Sequence, residues 1–128
     1  MPGYIRFVMR TFLTALLLAT AALLTACNSQ EGKEKYTMTD AQLGLTPPQA
    51  DGRRLYNQHC LQCHASYTKE SRKSFSLKGL YSYKTMPSGT PTNDDRISDL
   101  VVHGKRMMPA TSLTPDETQA LLAYLHTL

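Results

Sequence analysis

An all-α domain is what this 128-residue chain predicts. Three observations carry that expectation. Apolar residues recur at helical spacing in two stretches, Ile97, Leu100 and Val101, then Leu121, Tyr124, Leu125 and Leu128. Residues that start helices stand just ahead of both, at Asn93 and at Thr114-Pro115-Asp116-Glu117. No run of alternating apolar and polar residues marks a strand.

The N-terminal segment reads as an export signal. Arg6 and Arg10 form a short basic region, and Thr11 to Leu24 is apolar and uncharged. That run is short for a membrane span, which takes about 20 apolar residues. Leu24-Thr25-Ala26-Cys27 follows and resembles the cleavage site of bacterial lipoproteins. Residues 1–26 are therefore expected to be a lipoprotein signal peptide, with Cys27 lipidated after cleavage. An uncleaved anchor, or an ordinary signal beside a chance cysteine, is the alternative. Residues 27–47 are polar, end in Pro47-Pro48 and read as the lipidated N-terminus and a flexible tether. About 20 flexible residues have a typical reach of roughly 25 Å. Packing of Met38 to Leu45 on the domain is the other possibility. Residues 48–128 form the domain.

The first helix is expected from Asp51, which can cap it, to Cys60, with Leu55 and Tyr56 as its apolar contacts. It runs into Cys60-Leu61-Gln62-Cys63-His64. Two thiols three residues apart, followed at once by a histidine, read as a covalent c-type haem site. Cysteines about one turn apart reach both vinyl groups of one porphyrin, and the next residue offers an imidazole to the iron from the same side. A thioredoxin-like disulfide needs a preceding strand, and a zinc site needs further paired ligands. His59, His103 and His126 are scattered, and the third cysteine, Cys27, is assigned to lipid. Haem c, one per chain and held by Cys60 and Cys63, is the expected cofactor, with His64 as its proximal ligand.

Residues 65–92 make a long loop rich in serine, glycine and proline, which suits a segment that wraps a cofactor edge. Leu77 and Leu80 are candidates to line that edge. The second helix runs from Asn93 to His103, and Gly104 ends it. Met108-Pro109 then lies in a loop between helices, able to cross to the far face of the ring. Its thioether is the expected distal ligand, since Met/His ligation raises the haem potential. Met107, Met86-Pro87 and His103 are the competitors. In the last helix Thr114 and Glu117 form a capping box and Pro115 takes the first helical position.

With these residues placed, positions 50–128 resemble a class I cytochrome c of the small mono-haem bacterial kind. Gly52, Leu55-Tyr56, Cys60-x-x-Cys63-His64, Leu77-Lys78-Gly79, His103-Gly104, Met108-Pro109 and Leu121…Tyr124-Leu125 carry the likeness. The resemblance implies a cytochrome c-like fold of three to four helices around one covalent haem. It implies that the first and last helices cross, so that Gly52 and Tyr56 meet Leu121, Tyr124 or Leu125. The family often has a proline after the haem motif whose carbonyl accepts the histidine's other N–H. None lies between Pro48 and Pro87 here, so a backbone carbonyl within Ser74 to Leu80 is expected instead.

Two axial side chains leave no open coordination site, so the expectation is an electron-transfer protein and not an enzyme. It is read as tethered to a membrane and cycling Fe(II)/Fe(III) between redox partners: a quinol-oxidising complex, an oxidase or a dehydrogenase. A haem subunit or sensor in which Met108 is displaced by a ligand is the alternative. C-type haem is attached outside the bacterial cytoplasm, so the export signal and the haem motif agree on a periplasmic or extracytoplasmic location. A formal charge of +4, reduced when Arg6 and Arg10 leave, is no nucleic-acid profile. Lys69, Arg72, Lys73, Lys78, Lys84, Lys105 and Arg106 are candidates to steer an acidic partner, or are solvated loop charges.

Overall fold

The structure, a computed structural model, describes residues 32–128. The chain divides into two compact units, Met1–Tyr36 and Thr37–Leu128. Cys27 and the expected signal peptide lie outside the described residues. Among the described residues no helix is long and apolar enough to cross a membrane.

The second unit is all-α. It holds α1 (Pro47–His59), a 3-10 turn (Leu80–Ser82), α2 (Asp94–His103) and α3 (Pro115–Leu125). Extended pairing among the described residues is limited to two isolated bridges, Thr85 with Pro91 and Lys105 with Met108.

Helix α1 starts four residues earlier than the sequence suggests. Thr46 is its N-cap, and the Gln49 side chain accepts from the Thr46 N–H at 2.9 Å. Pro47 and Pro48 occupy the first turn, where a missing N–H costs nothing and the fixed φ suits a helix. The prolines that read as the end of a linker are thus the start of an element. The stretch before them is ordered as well. Leu43 and Leu45 close turns onto Thr39 and Asp40, and Asp40 pairs with Arg53 of α1 at 2.7 Å. Residues 37–46 therefore belong to the compact unit, within the segment read as a tether.

Helices α2 and α3 start where expected. The Asn93 side chain accepts from the Arg96 N–H, and Thr114 and Glu117 exchange the two bonds of a capping box. The core forms where α1 crosses α3. A Cβ on Gly52 would lie 2.0 Å from the Ala120 carbonyl oxygen and 2.8 Å from Tyr124 Cβ, so the backbones meet at a position only glycine permits. One turn on, the Tyr56 and Tyr124 rings pack edge to face at 5.4 Å. Leu55, Leu121 and Leu125 fill in around them, and Ile97 and Val101 of α2 close the side.

Candidate functional site

A cavity of about 480 Å³ opens between the end of α1, the 65–92 loop, α2 and the C-terminal half of α3. Its walls are apolar: Leu77, Leu80, Ile97, Val101, Leu121 and Leu125. Leu77 and Leu80 stand where the sequence reading put them. Cys60, His64 and Met108 line the same cavity.

Cys60 is the C-cap of α1, and its carbonyl accepts from the N–H groups of Cys63 and His64 at 3.0 and 2.9 Å. The chain thus makes one further turn, which brings the thiols and the imidazole to the same end of the helix. Both cysteines are free thiols of intermediate exposure. Burial, with a smaller contribution from neighbouring Cys63, pushes the Cys60 thiol up to about 11. It stays protonated at neutral pH. Cys63 lies outside the cavity wall.

The loop folds back over this turn. The Ser74 N–H donates to the Cys63 carbonyl at 2.9 Å, and the Leu77 N–H donates to the Ala65 carbonyl at 2.8 Å. Ser76 Oγ ties the return by donating to the Thr68 carbonyl at 2.5 Å. The Phe75 carbonyl is left facing His64, 2.8 Å from Nδ1. A carbonyl can only accept, so Nδ1 carries the proton and Nε2 keeps its lone pair. The acceptor lies inside the Ser74–Leu80 stretch expected from the sequence. The Phe75 ring adds an edge-on contact at 5.2 Å. Phe75 carried no signal of its own, because any residue supplies a carbonyl.

Met108 sits in a tight turn after α2. Lys105 and Met108 exchange backbone bonds at 2.9 and 3.0 Å, with Arg106 left-handed at φ 57°. Gly104 has φ 69° and ψ 171°, and a Cβ there would fall 2.6 Å from the Met108 oxygen and from the Ala110 nitrogen. The turn reaches the cavity because residue 104 is glycine.

The competing ligands separate cleanly. His103 is exposed and paired with Asp99 at 3.0 Å. His126 pairs with Asp94 at 3.0 Å and stacks on Tyr81. His59 is exposed at the end of α1. None of the three lines the cavity. Met107 stands at its mouth, 93% exposed. Met86 does line it and is buried, held in a turn closed by the Gly89 and Met86 N–H groups. Two inward thioethers thus remain, Met86 and Met108. Of the basic residues singled out in the sequence, Lys105 and Arg106 line the cavity.

Tyr67 went unnoticed in the sequence. It is buried beneath α3 and accepts from the Tyr124 hydroxyl at 2.8 Å. Burial, then this bond, raises the Tyr124 phenol above its ordinary range. An aromatic inside a serine-rich loop has no periodicity to reveal it.

The donor set fits a covalently held haem. It combines the Cys60 thiol at one wall with Cys63 one turn on, an imidazole, inward thioethers and a mostly apolar lining. These donor side chains are not a closed metal cluster, and no group of three or more His, Cys, Asp or Glu suited to an ion occurs among the described residues. Comparison with known proteins agrees with that chemistry. Residues 47–125 match the family described as cytochrome c oxidase, cbb3-type, subunit III. The chain is also similar to cytochrome c-551 of Bacillus subtilis, 27% identical over 117 residues, covering 90% of this chain and 94% of that protein.

Proposed function

The chain belongs to the cytochrome c family described as cytochrome c oxidase, cbb3-type, subunit III, and on that premise we propose that it is a membrane-tethered, single-haem electron carrier. Haem electron transfer is the family's chemistry and covalent haem c its cofactor. The remaining assignments are this chain's own. Cys60 and Cys63 hold the porphyrin through thioethers, His64 is the proximal ligand and Met108 the distal one.

The observation that carries the reading is the His64–Phe75 bond. It fixes one tautomer and leaves Nε2 as a donor beside an apolar cavity that Met108 also lines. When bound, haem supplies one-electron Fe(III)/Fe(II) chemistry. The protein's part is to orient both ligands, exclude water with aliphatic walls and leave one opening. Lys105 and Arg106 border the cavity and favour an acidic partner there.

The partner is a quinol-oxidising complex, an oxidase or a dehydrogenase. Lipid on Cys27 holds the protein at the extracytoplasmic face, with residues before Thr37 as its tether. Coverage of most of cytochrome c-551 supports a stand-alone carrier. The family's description favours a second reading, a haem subunit fixed within an oxidase. Purification from membranes separates the two. A carrier comes away alone, and a subunit keeps a stoichiometric partner.

Met108→Ala tests the ligand assignment. The weak sulfur-to-iron absorption band of the oxidised protein should disappear, and carbon monoxide should bind the reduced variant rapidly. Survival of the band in Met108→Ala together with its loss in Met86→Ala would transfer the role to Met86.

A further inference from the structure

His64 is held at three points. Its N–H donates to the Cys60 carbonyl at 2.9 Å. Its ring Nδ1–H donates to the Phe75 carbonyl at 2.8 Å. Its own carbonyl accepts from the Tyr56 hydroxyl at 2.9 Å. The first two bonds end on main-chain atoms, which every residue carries. The third alone is made by another residue's side chain.

We propose that Tyr56 is a positioning residue for His64, its hydroxyl pinning the His64 peptide so that the imidazole stays on the Phe75 carbonyl. The proposal rests on the reading of His64 as an iron ligand. His64 follows the last turn of the Cys60–Cys63 segment, where a carbonyl has lost its helical partner. No backbone N–H among the described residues donates to it. Tyr56 supplies that donor from one helix turn upstream of the motif. The phenol is itself immobile: Tyr56 is 0% exposed, and its ring is braced at 63° against Tyr124. The bond is part-buried, with its donor wholly shielded from solvent, and low local dielectric strengthens it.

The consequence runs through the ring. Rotation of the His64–Ala65 peptide swings the Cα–Cβ bond and lengthens the Nδ1–H···O=C contact. That contact sets how basic the imidazole is toward a metal. A more basic ligand favours Fe(III), so loosening it raises the reduction potential. Tyr124 gives the control. Its hydroxyl belongs to the same buried group and donates to Tyr67, with no bond to His64.

The experiment uses the haem-loaded protein. Exchange of the His64 Nδ1 proton is followed by NMR in the reduced state, and the midpoint potential is measured alongside. Tyr56→Phe should speed exchange by about tenfold, as expected for one lost part-buried hydrogen bond, and raise the potential. Tyr124→Phe should lower the melting temperature and move neither. Site-specific 3-fluorotyrosine at position 56 keeps the ring and strengthens the donor, so exchange should slow. Equal exchange and potential in the Tyr56→Phe and Tyr124→Phe variants would overturn the proposal. Should Tyr56→Phe not accumulate, unchanged exchange with fluorotyrosine overturns it equally. Absence of paramagnetically shifted His64 ring protons in the oxidised wild type would remove the ligand reading itself, and the proposal with it. That outcome is read without any variant.

Discussion

Gly104 shows how much a single residue decides about the site. Its φ of 69° and ψ of 171° fall in a region almost closed to side chains, and the space a Cβ needs is filled by the Met108 oxygen and the Ala110 nitrogen. Gly104→Ala should cost about 1–3 kcal/mol from the backbone conformation alone. The consequence should be local. Chemical denaturation will show the loss of stability, and the sulfur-to-iron band should weaken because the displaced turn carries Met108. Had that band stayed at full strength in a destabilised Gly104→Ala protein, the turn would not be what places the thioether. His64 makes the opposite point. Its ring is set by the Phe75 carbonyl, an atom that any residue at position 75 supplies. The substitution of one carbonyl acceptor for another explains how a chain without a proline after the motif still orients its histidine.

Helix ends and one helix crossing hold the elements together. The Thr114 N–H donates to Glu117 at 2.9 Å, and Thr114 Oγ1 accepts from the Glu117 N–H at 3.2 Å. Thr114→Ala should cost about 1 kcal/mol, measured by denaturant titration. The bond from the Thr114 backbone, with that to its side chain second, holds the Glu117 carboxyl below its ordinary value of 4.5. A depressed folded pKa means that the carboxylate stabilises the native state above the unfolded value. The contribution fades as pH falls through the folded value. Glu117→Gln should therefore lower the melting temperature slightly at neutral pH and flatten its fall below about pH 4.5, so that the two proteins converge in acid. Gly52 is the more severe case. Alanine there puts a methyl 2.0 Å from the Ala120 oxygen, which forces α1 and α3 apart. Overpacking of this kind costs about 1–3 kcal/mol or more. Differential scanning calorimetry of the haem-loaded Gly52→Ala protein should show the drop. An unchanged melting temperature would mean that the crossing relaxes freely.

For the molecule as a whole, the core and the cavity compete for the same residues. Leu80, Ile97, Val101, Leu121 and Leu125 are both buried and on the cavity wall. A small domain has little apolar surface to spare, so those walls need a partner to face. Haem is that partner in this family, and it would complete the core that these walls begin. A Cys60→Ala, Cys63→Ala protein, unable to hold haem covalently, should lose most of its helical circular dichroism and its cooperative melt. Retention of both would show that the three helices pack without help. The Asp40–Arg53 pair extends the folded unit back to Thr37. Any tether is accordingly shorter than the polar composition of residues 27–47 suggests, since a polar segment can still pack through one surface ion pair and a set of turns.

Local chemistry was legible without coordinates wherever a residue type has one dominant use. Cysteine spacing announced the cofactor, Asn93 and Thr114 announced helix starts, and the stripe on α3 announced its buried face. Gly104 read as a helix terminator, and Met108-Pro109 stood out as a loop thioether. Tertiary structure alone decided which groups from distant segments meet. It chose the Phe75 carbonyl for His64, brought Tyr56 to the His64 peptide, hid Tyr67 under Tyr124 and turned Met86 inward with Met108. The physical reason is that capping, spacing and periodicity act within a few residues of one another, whereas these contacts join backbone atoms and loop side chains whose approach depends on how the whole chain closes.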